Sequence, residues 1–334
     1  MSTHPRNPAW AVWAERFTHR SDGGKIREDL PIQTVLANAS LDIAFHDTLW
    51  QGFMINLIKL EKDNLIRPNN DLSESSRNKL NYPSDSTYIE QFFVGLLEGD
   101  GTITCNLSTN KNKTIYIRIV ISLKNLPENL SMLNKIKETI GGRVLIERKE
   151  SYVTWIASNR NDLAKVFAVL AKYPLLTARK QCQLEFAKNC LLKKDIDNFL
   201  TDRDNKYNNK RLILEDLSRK DLPSYFAPWL SGFIEAEGNF NLVFNEKGHL
   251  RKSVFTIGQN DELHILKWIK SYFDIHTQIL KDKPKKENSF EYYRLFLYNA
   301  ESRKLLFEHF DKYPLLGHKK LSYLKFLNYF KSKT

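Results

Sequence analysis

The sequence predicts an α+β protein that contains two copies of one domain. A nine-residue pattern occurs twice, as FVGLLEGDG at 93–101 and as LSGFIEAEG at 230–238. A Tyr-Pro-Leu-Leu block follows each copy at a similar interval, at 173–176 and at 313–316. Directly after each copy, polar and apolar residues alternate, as expected for half-buried strands. Matching landmarks at matching intervals indicate a duplicated domain of about a hundred residues, which is the usual scale of a domain.

The residues before this duplication, 1–84, form a separate N-terminal extension. Residues 35–48, VLANASLDIAFHDT, resemble a stretch of cytochrome c oxidase subunit 1. The resemblance ends at Thr48, and it implies a reading frame that starts in a mitochondrial exon and continues into an intron. The mitochondrion is therefore the expected location. Residues 64–86, which are rich in Asn and Ser, are expected to form a polar, flexible connector.

Each copy of the nine-residue pattern is predicted to be a helix. Small residues four positions apart lie on one face of a helix, and such a face lets two backbones approach closely because no bulky side chain separates them. We therefore expect the two helices to pack against each other. Thr87 and Glu90 fit a capping box at the start of the first helix. The small residues are Gly95 and Gly99 in the first copy, and Gly232 and Ala236 in the second.

A carboxylate ends each helix, Asp100 in the first copy and Glu237 in the second. Each is followed by a glycine, Gly101 or Gly238, which suits the left-handed residue that often stops a helix. Packing of the two helices would bring the two carboxylates together. Adjacent carboxylates at the base of a helix pair suggest a divalent metal site rather than a salt bridge.

The strand after each helix exposes short hydrogen-bonding side chains on one face. Such side chains suit the reading of base edges in DNA, although an ordinary solvated sheet face would show the same alternation. Arg118 projects outward from the next strand of the first half. The outward residues of the first strands are Thr102, Thr104, Asn106 and Ser108 in the first half, and Asn239, Asn241 and Asn245 in the second.

The remaining pattern defines two halves, 85–192 and 224–334, joined by a linker at 193–223. The linker is dense in charge and in Asn, so we expect a solvated tether with one short helix near Leu212 and Leu217. Its basic residues could also contact phosphates. Further helices are predicted at 126–139, 160–171, 178–192, 261–273, 300–310 and 317–331, and further strands at 143–149, 152–157, 276–281 and 290–298.

The basic charge of the chain lies in the duplicated part. The whole chain has 51 Lys and Arg against 39 Asp and Glu, a net charge of +12. Basic and acidic residues balance in 1–82, so the remainder holds the whole excess, which is typical of a polyanion binder. The sequence has no uninterrupted apolar run of about 18 residues that could span a membrane. Its three cysteines form no C-x-x-C pair, which argues against a zinc site or a disulfide framework.

The duplicated part, about residues 85–334, resembles a single-chain LAGLIDADG homing endonuclease, with 93–101 and 230–238 as its two motif copies. The resemblance implies two pseudo-symmetric αββαββα halves whose motif helices form the central interface. It also implies two saddle-shaped antiparallel sheets that sit astride the major groove of double-stranded DNA. A monomer that acts without a membrane is expected.

The resemblance further implies a catalytic site at the ends of the two motif helices. Asp100 and Glu237 would bind Mg²⁺, together with backbone carbonyls near Gly99 and Ala236. Magnesium binds few protein carboxylates and keeps several waters, so two carboxylates are sufficient. Each half would then cut one strand.

Family members also place a basic residue after the Pro-Leu block and often a glutamine after the second strand. Alignment on the two prolines gives Arg179 and Lys319 as the catalytic basic residues. Gln259 matches the glutamine, whereas its counterpart in the first half is Leu123, a departure that would make the two sites unequal. Phosphate contact or solvated helix charge would equally account for the basic residues. Close alternatives to Arg179 and Lys319 are Lys180 and Lys320.

Glu98 and Glu235 lie two positions before the paired carboxylates. A helix rotates by about 200° over two residues, so these side chains should point away from the cleavage centre. We interpret them as structural.

The predicted function is site-specific cleavage of double-stranded DNA that promotes homing of the host intron. The first alternative is an RNA-splicing maturase on the same scaffold, with intron RNA as its partner. The second is a nucleic-acid-binding relic without chemistry, against which both retained acids argue. The predicted target spans the DNA that encodes residues 42–48 and the codons after it, because an intron must interrupt its own target to protect the host copy.

Overall fold

A computed structural model of the chain describes five parts of it, all within the compact unit Gln51–Thr334. The segment that resembles cytochrome c oxidase subunit 1, at 35–48, lies outside the described residues, as does most of the predicted connector. The described residues are 52, 85–109, 113–193, 196–282 and 291–332.

The first half follows the predicted order of elements. It begins with the first motif helix, α1, and ends with two consecutive helices. Its elements are α1 Asp85–Asp100, β1 Gly101–Leu107, β2 Ile115–Lys124, α2 Pro127–Ile140, β3 Arg143–Glu147, β4 Tyr152–Ala157, α3 Arg160–Lys172 and α4 Ala178–Lys193.

The second half repeats this order after the linker. The linker contains two short helices, α5 Phe199–Asn205 and α6 Lys210–Leu217, whereas the sequence predicted only the second. Phe199 anchors the additional helix because it is buried against Phe186 of α4, with ring centroids 5.7 Å apart. The elements of the second half are α7 Phe226–Glu237, β5 Asn239–Phe244, β6 Leu250–Asn260, α8 Leu263–Tyr272, β7 Leu280–Asp282, β8 Tyr292–Leu297, α9 Ala300–Lys312 and α10 Lys319–Lys331.

Each half contains a four-stranded antiparallel sheet, and the two sheets have the same topology, β1-β2-β4-β3 and β5-β6-β8-β7. The α+β prediction with two pseudo-symmetric halves is thereby confirmed. Strand pairing also shows which residues correspond. Thr102 pairs with Val120 in the first half, and Asn239 pairs with Thr256 in the second. Counting along β2 and β6 from these pairs makes Leu123 the counterpart of Gln259, as the sequence predicted.

The motif helices α1 and α7 are in backbone contact at their glycines. A Cβ atom placed on Gly95 would lie 1.9 Å from the carbonyl oxygen of Trp229, and one on Gly232 would lie 1.9 Å from that of Phe92. No side chain fits at such distances, so glycine is required at both positions. The expected packing of the two helices through their small residues is therefore observed.

The Tyr-Pro-Leu-Leu blocks join each half to the motif helix of the other half. The Tyr88 hydroxyl at the start of α1 donates to the Pro314 carbonyl oxygen, 2.5 Å away. In the equivalent contact, the Tyr225 hydroxyl just before α7 donates to the Pro174 carbonyl oxygen. The second repeated block of the sequence thus marks the crossed contacts of the two halves.

The predicted capping box at the start of α1 is wrong. The helix already includes Asp85, so Thr87 lies inside it rather than at its N-cap. Glu90 instead accepts a hydrogen bond from Lys172 of α3 at 2.9 Å.

The predicted left-handed conformation of Gly101 and Gly238 is also wrong. Neither glycine has a positive φ, and Gly238 is extended, with φ −73° and ψ 154°. Both glycines are instead needed for space where the chain passes directly from helix to strand. A Cβ atom on Gly101 would lie 2.7 Å from the Leu97 carbonyl oxygen, and one on Gly238 would lie 2.8 Å from that of Ile234.

Among the described residues, no helix combines the length and the apolar character needed to cross a membrane.

Candidate active site

The close contact of α1 and α7 places Asp100 and Glu237 at the same end of the helix pair. A Cβ atom on Gly99 would lie 2.3 Å from the Cβ of Ala236 and 3.3 Å from the Cγ of Glu237. The last turns of the two helices therefore touch, and Asp100 and Glu237 extend from backbone positions next to this contact. Asp100 is exposed and Glu237 is half-buried, so both can be reached from solvent.

The two carboxylates act on each other electrostatically. Partial burial raises the pKa of the Asp100 carboxyl, and it is the largest cause of the raised pKa of Glu237 as well. The charge of Asp100 raises the pKa of Glu237 further, because two nearby negative charges disfavour each other. Lys319 and Lys180 act in the opposite direction and lower the pKa of both carboxyls. The site therefore contains two carboxylates and two ammonium groups in mutual reach.

Two lysines occupy equivalent places beside the carboxylates. The Lys180 ammonium donates to the carbonyl oxygen of Gly101, and the Lys319 ammonium donates to that of Gly238 at 2.6 Å. Burial lowers the pKa of Lys180 to about 8, and the charge of Arg179 contributes in the same direction. Each lysine thus binds the carbonyl oxygen of the glycine that follows one of the paired carboxylates.

Lys180, rather than Arg179, is therefore the structural counterpart of Lys319. The Arg179 side chain is exposed, and its backbone N–H donates to Glu262 at 3.1 Å. Alignment on Pro174 selected Arg179 because the chain between proline and lysine is one residue longer in the first half than in the second. From the sequence, Lys180 is only the alternative to Arg179. Lys320, the alternative to Lys319, follows it in α10 and is exposed.

Polar support for the carboxylates differs between the halves. The Gln259 side chain lies within hydrogen-bonding reach of Glu237 and lowers the pKa of that carboxyl. Its counterpart Leu123 has no hydrogen-bonding group. The two halves therefore surround the paired carboxylates with different chemistry.

Glu98 binds the backbone just before α4 and is structural, as predicted. It is buried and accepts hydrogen bonds from the backbone N–H groups of Leu176 and Thr177, at 2.8 and 2.6 Å, and from the Trp229 indole at 2.8 Å. Burial raises the pKa of Glu98 to about 7 in spite of these donors.

Glu235 has the equivalent role in the second half. Its carboxylate accepts from the N–H groups of Gly317 and Lys319, at 3.1 and 2.8 Å. Both glutamates therefore fix the position of a helix that carries one of the two lysines beside the paired carboxylates.

Two further capping residues cross between the halves, and the sequence did not predict them. Glu262 of the second half accepts from the N–H groups of Ala178 and Arg179 at the start of α4, at 3.2 and 3.1 Å. Asn129 of the first half accepts from the His318 N–H just before α10, at 2.9 Å. Carboxylates and amide oxygens stabilise helix starts because they accept from N–H groups that have no partner within the helix. No local pattern marks these two residues, since their partners lie in the other half.

Most predicted base-reading side chains lie exposed on the face of the sheet that does not pack on the helices. Two do not fit that role, because they close hairpins. The Ser108 oxygen accepts from the Thr114 backbone N–H at 3.0 Å, and the Asn245 oxygen accepts from the His249 backbone N–H at 2.8 Å. Arg118 is half-buried on the same face of the first sheet. Apart from these, the predicted base-reading residues are all exposed, namely Thr102, Thr104, Asn106, Asn239 and Asn241.

The donor set at the helix ends fits a divalent cation with few protein ligands. Asp100 and Glu237 repel each other, and a cation between them would remove that repulsion. Among the described residues no group of three or more His, Cys, Asp or Glu could hold a metal ion. A cation here would therefore complete its shell with waters and phosphate oxygens, as Mg²⁺ does. The Ala236 carbonyl, predicted as a further ligand, lies 3.4 Å from the Lys319 ammonium.

Comparison with known proteins assigns both halves to one family model. The model described as LAGLIDADG endonuclease matches residues 93–190 and 230–330. A protein of Dictyostelium citrinum named "Probable intron-encoded endonuclease aI3" is 38% identical over 250 residues, which are 74% of this chain and 97% of the relative. A protein of Debaryomyces hansenii with the same name is 29% identical over 337 residues; the match takes in 87% of this chain but only 47% of that relative.

Solved structures show the same fold at low sequence identity. The LAGLIDADG meganuclease I-CpaMI, bound to uncleaved DNA, is 20% identical with a TM-score of 0.54, over 73% of this chain and 92% of that one. I-SmaMI, bound to an uncleaved DNA target in the presence of calcium ions, is 16% identical with a TM-score of 0.54, over 72% of this chain and 89% of that one.

Proposed function

Because the chain belongs to the LAGLIDADG endonuclease family, we propose that it is a site-specific endonuclease that cuts both strands of a long DNA target. The observation that carries this proposal is the pairing of Asp100 and Glu237 at the joined ends of two helices. Contact between the helix backbones holds the two acids together. The DNA-bound state of I-CpaMI and I-SmaMI supports double-stranded DNA as the partner.

The paired carboxylates would hold a divalent cation, for which we propose Mg²⁺. When bound, the cation supplies positive charge at the scissile phosphate and favours ionisation of an attacking water. The ammonium groups of Lys180 and Lys319 oppose the rise in the pKa of both carboxyls and so favour the ionised form that binds a cation. Gln259, beside Glu237, could orient a water in the second-half site.

Recognition of DNA would fall to the free faces of the two sheets. Short polar side chains there can donate to and accept from base edges in the major groove. Basic residues around them would neutralise phosphates and release counterions, which makes affinity depend on salt. We propose Thr102, Thr104, Asn106, Asn239 and Asn241 as base-reading residues, and exclude Ser108 and Asn245 because their side chains close hairpins.

We place the target in the intronless gene for cytochrome c oxidase subunit 1, in mitochondrial DNA. Residues 35–48 resemble that subunit, and a relative of Schizosaccharomyces pombe is named "Probable intron-encoded endonuclease Cox1-I1b". The target would span the codons of 42–48 and those that follow. Cleavage products from a plasmid that carries this gene should map to that junction, whereas cuts only elsewhere would contradict the assignment.

The two carboxylates provide the central test. Asp100→Asn and Glu237→Gln should each slow cleavage by about 100-fold or more, because the cation loses a charged ligand. Both variants should still bind target DNA. Cleavage of the plasmid in Mg²⁺ and a gel-shift titration measure the two properties separately.

Glu90→Gln is the matched control, since it removes a carboxylate from the other end of α1 without touching the site. It should cut like the parent protein. If Asp100→Asn or Glu237→Gln also cuts at the parental rate, the proposed metal site is wrong. If the parent protein binds intron RNA and cuts no DNA, the maturase alternative is favoured.

A further inference from the structure

The sheet of the second half has a glycine, Gly258, at a position where the sheet of the first half carries a side chain. Gly258 lies on β6 immediately before Gln259, and it pairs with Arg294 of β8. A Cβ atom on Gly258 would lie 2.3 Å from the hydroxyl oxygen of Tyr292 and 2.7 Å from the ring carbon that carries it. Tyr292 pairs with Asn260, two residues after Gly258. Its ring therefore lies diagonally across the two strands and over Gly258.

The Tyr292 side chain lies on the free face of the sheet, at the end where Asn239, two residues after Glu237, pairs with Thr256. Tyr292 pairs with Asn260 and shares its face with Gly258 and Thr256, opposite the buried Ile257. Burial is the largest cause of the raised pKa of Tyr292, and the charge of Glu237 is the next. The side chain is nevertheless 37% exposed. The hydroxyl is thus an accessible donor on the face that would meet DNA.

In the first half a serine occupies the position of this glycine. The counterpart of Gly258 is Ser122, whose hydroxyl shares a hydrogen bond of 2.9 Å with that of Thr154. The counterpart of Tyr292 is Tyr152, which pairs with Lys124. The Arg148 guanidinium lies over the Tyr152 ring, 4.6 Å from its centroid.

We propose that the Tyr292 hydroxyl donates a hydrogen bond to a phosphate oxygen of the DNA strand that is cut at the second-half site. This inference rests on the proposed endonuclease activity. A phosphate is the ligand that such a donor suits, because hydrogen bonds to charged acceptors are the stronger ones. Together with Gln259, Tyr292 makes the second-half site the better equipped of the two. The two strands are therefore cut at unequal rates, the strand at the second-half site first, and a nicked duplex precedes the double-strand break.

Tyr292→Phe tests this inference, because it removes one hydroxyl and keeps the ring. A target duplex with a different fluorophore on each strand is cut under single-turnover conditions in Mg²⁺, so that the rate for each strand is measured. Tyr292→Phe should slow one strand by about 10-fold or more, the effect of losing a hydrogen bond to a charged group. The other strand should change by less than about 2-fold. Tyr152→Phe, the matched change in the first half, should alter neither rate.

Gly258→Ala provides an independent variant, since its Cβ would displace the Tyr292 hydroxyl. It should slow the same strand, and the double variant Gly258→Ala with Tyr292→Phe should be no slower than the slower single variant, because both remove one contact.

Three results would overturn the inference. Parental rates on both strands for Tyr292→Phe would show that the hydroxyl touches no reacting strand. Equal slowing of both strands, with a lowered melting temperature, would show a merely structural role. If the unmodified protein cuts neither strand, the proposed function fails and the inference fails with it.

Discussion

Glu98 and Asp100 show how two acids on one helix acquire different roles. They are two residues apart in α1, so their side chains point in nearly opposite directions. Glu98 is buried among N–H donors, whereas Asp100 is exposed at the helix end beside Glu237. Residue type alone does not separate these roles. The direction that the helix gives each side chain separates them.

His309 illustrates a buried titratable group outside the site. Its ring nitrogens lie 2.9 Å from the Ser231 hydroxyl and 3.1 Å from the Tyr272 hydroxyl. Burial lowers the pKa of His309 to about 3, below the value of about 6.5 in an unfolded chain. The unfolded chain therefore takes up the proton first, and the free energy of unfolding falls as pH decreases from about 6.5 toward 3.

The His309→Gln variant should lose less stability on acidification than the parent. Each pH unit within that window costs the parent up to about 1.4 kcal/mol from this group, and glutamine does not titrate. Urea titrations at pH 7 and pH 5 measure the difference. An equal pH dependence in both proteins would show that His309 is not held neutral in the fold.

The packing of the motif helices α1 and α7 requires glycine at position 232. At Gly232 a methyl group would meet backbone atoms of α1, which cannot move aside as a side chain could. Gly232→Ala should therefore cost about 3 kcal/mol or more in the free energy of unfolding. Chemical denaturation measures this cost.

Gly248→Ala is the control for that experiment. Gly248 has a φ of +76°, and a Cβ atom placed on it would have no heavy atom within 4 Å. Alanine there therefore costs only backbone strain, about 1–2 kcal/mol. If the two variants are equally stable, close packing of the helices is not what requires glycine at Gly232.

At the scale of the whole molecule, crossed contacts join the two halves. Tyr88 and Tyr225 each bond to the Pro-Leu block of the other half, and Glu262 and Asn129 each cap a helix of the other half. Each lysine beside the paired carboxylates therefore lies on a helix whose start is held partly by the opposite half. The site is complete only when both halves are packed together.

A protease site inserted between Asp221 and Leu222 tests this dependence. Both residues are exposed in the linker, so the insertion itself should leave stability and DNA cleavage unchanged. After proteolysis, the two fragments should still co-elute in gel filtration and still cut DNA, because the interface and not the linker joins them. Separation of the fragments in native buffer would contradict this prediction.

The sequence by itself determined the duplication, the alternating strands and the paired acids. These features depend on local periodicity and on small residues at fixed spacing, which are visible without knowledge of distant contacts. The sequence could not show whether Arg179 or Lys180 is the counterpart of Lys319, because the first half has one more residue between the Tyr-Pro-Leu-Leu block and the lysine. The structure identifies Lys180, since it and Lys319 make the same contact with a glycine carbonyl.

Tertiary structure alone decided the features that depend on strand pairing and on contacts between halves. Tyr292 lies over Gly258 because β8 pairs with β6, a contact between segments distant in the chain. Glu262 and Asn129 became visible as caps only when the opposite half was in place. Ser108 and Asn245 continue the polar alternation, yet turn geometry directs them into hairpins. A local pattern shows which side chains a strand or helix carries, whereas packing decides what those side chains face.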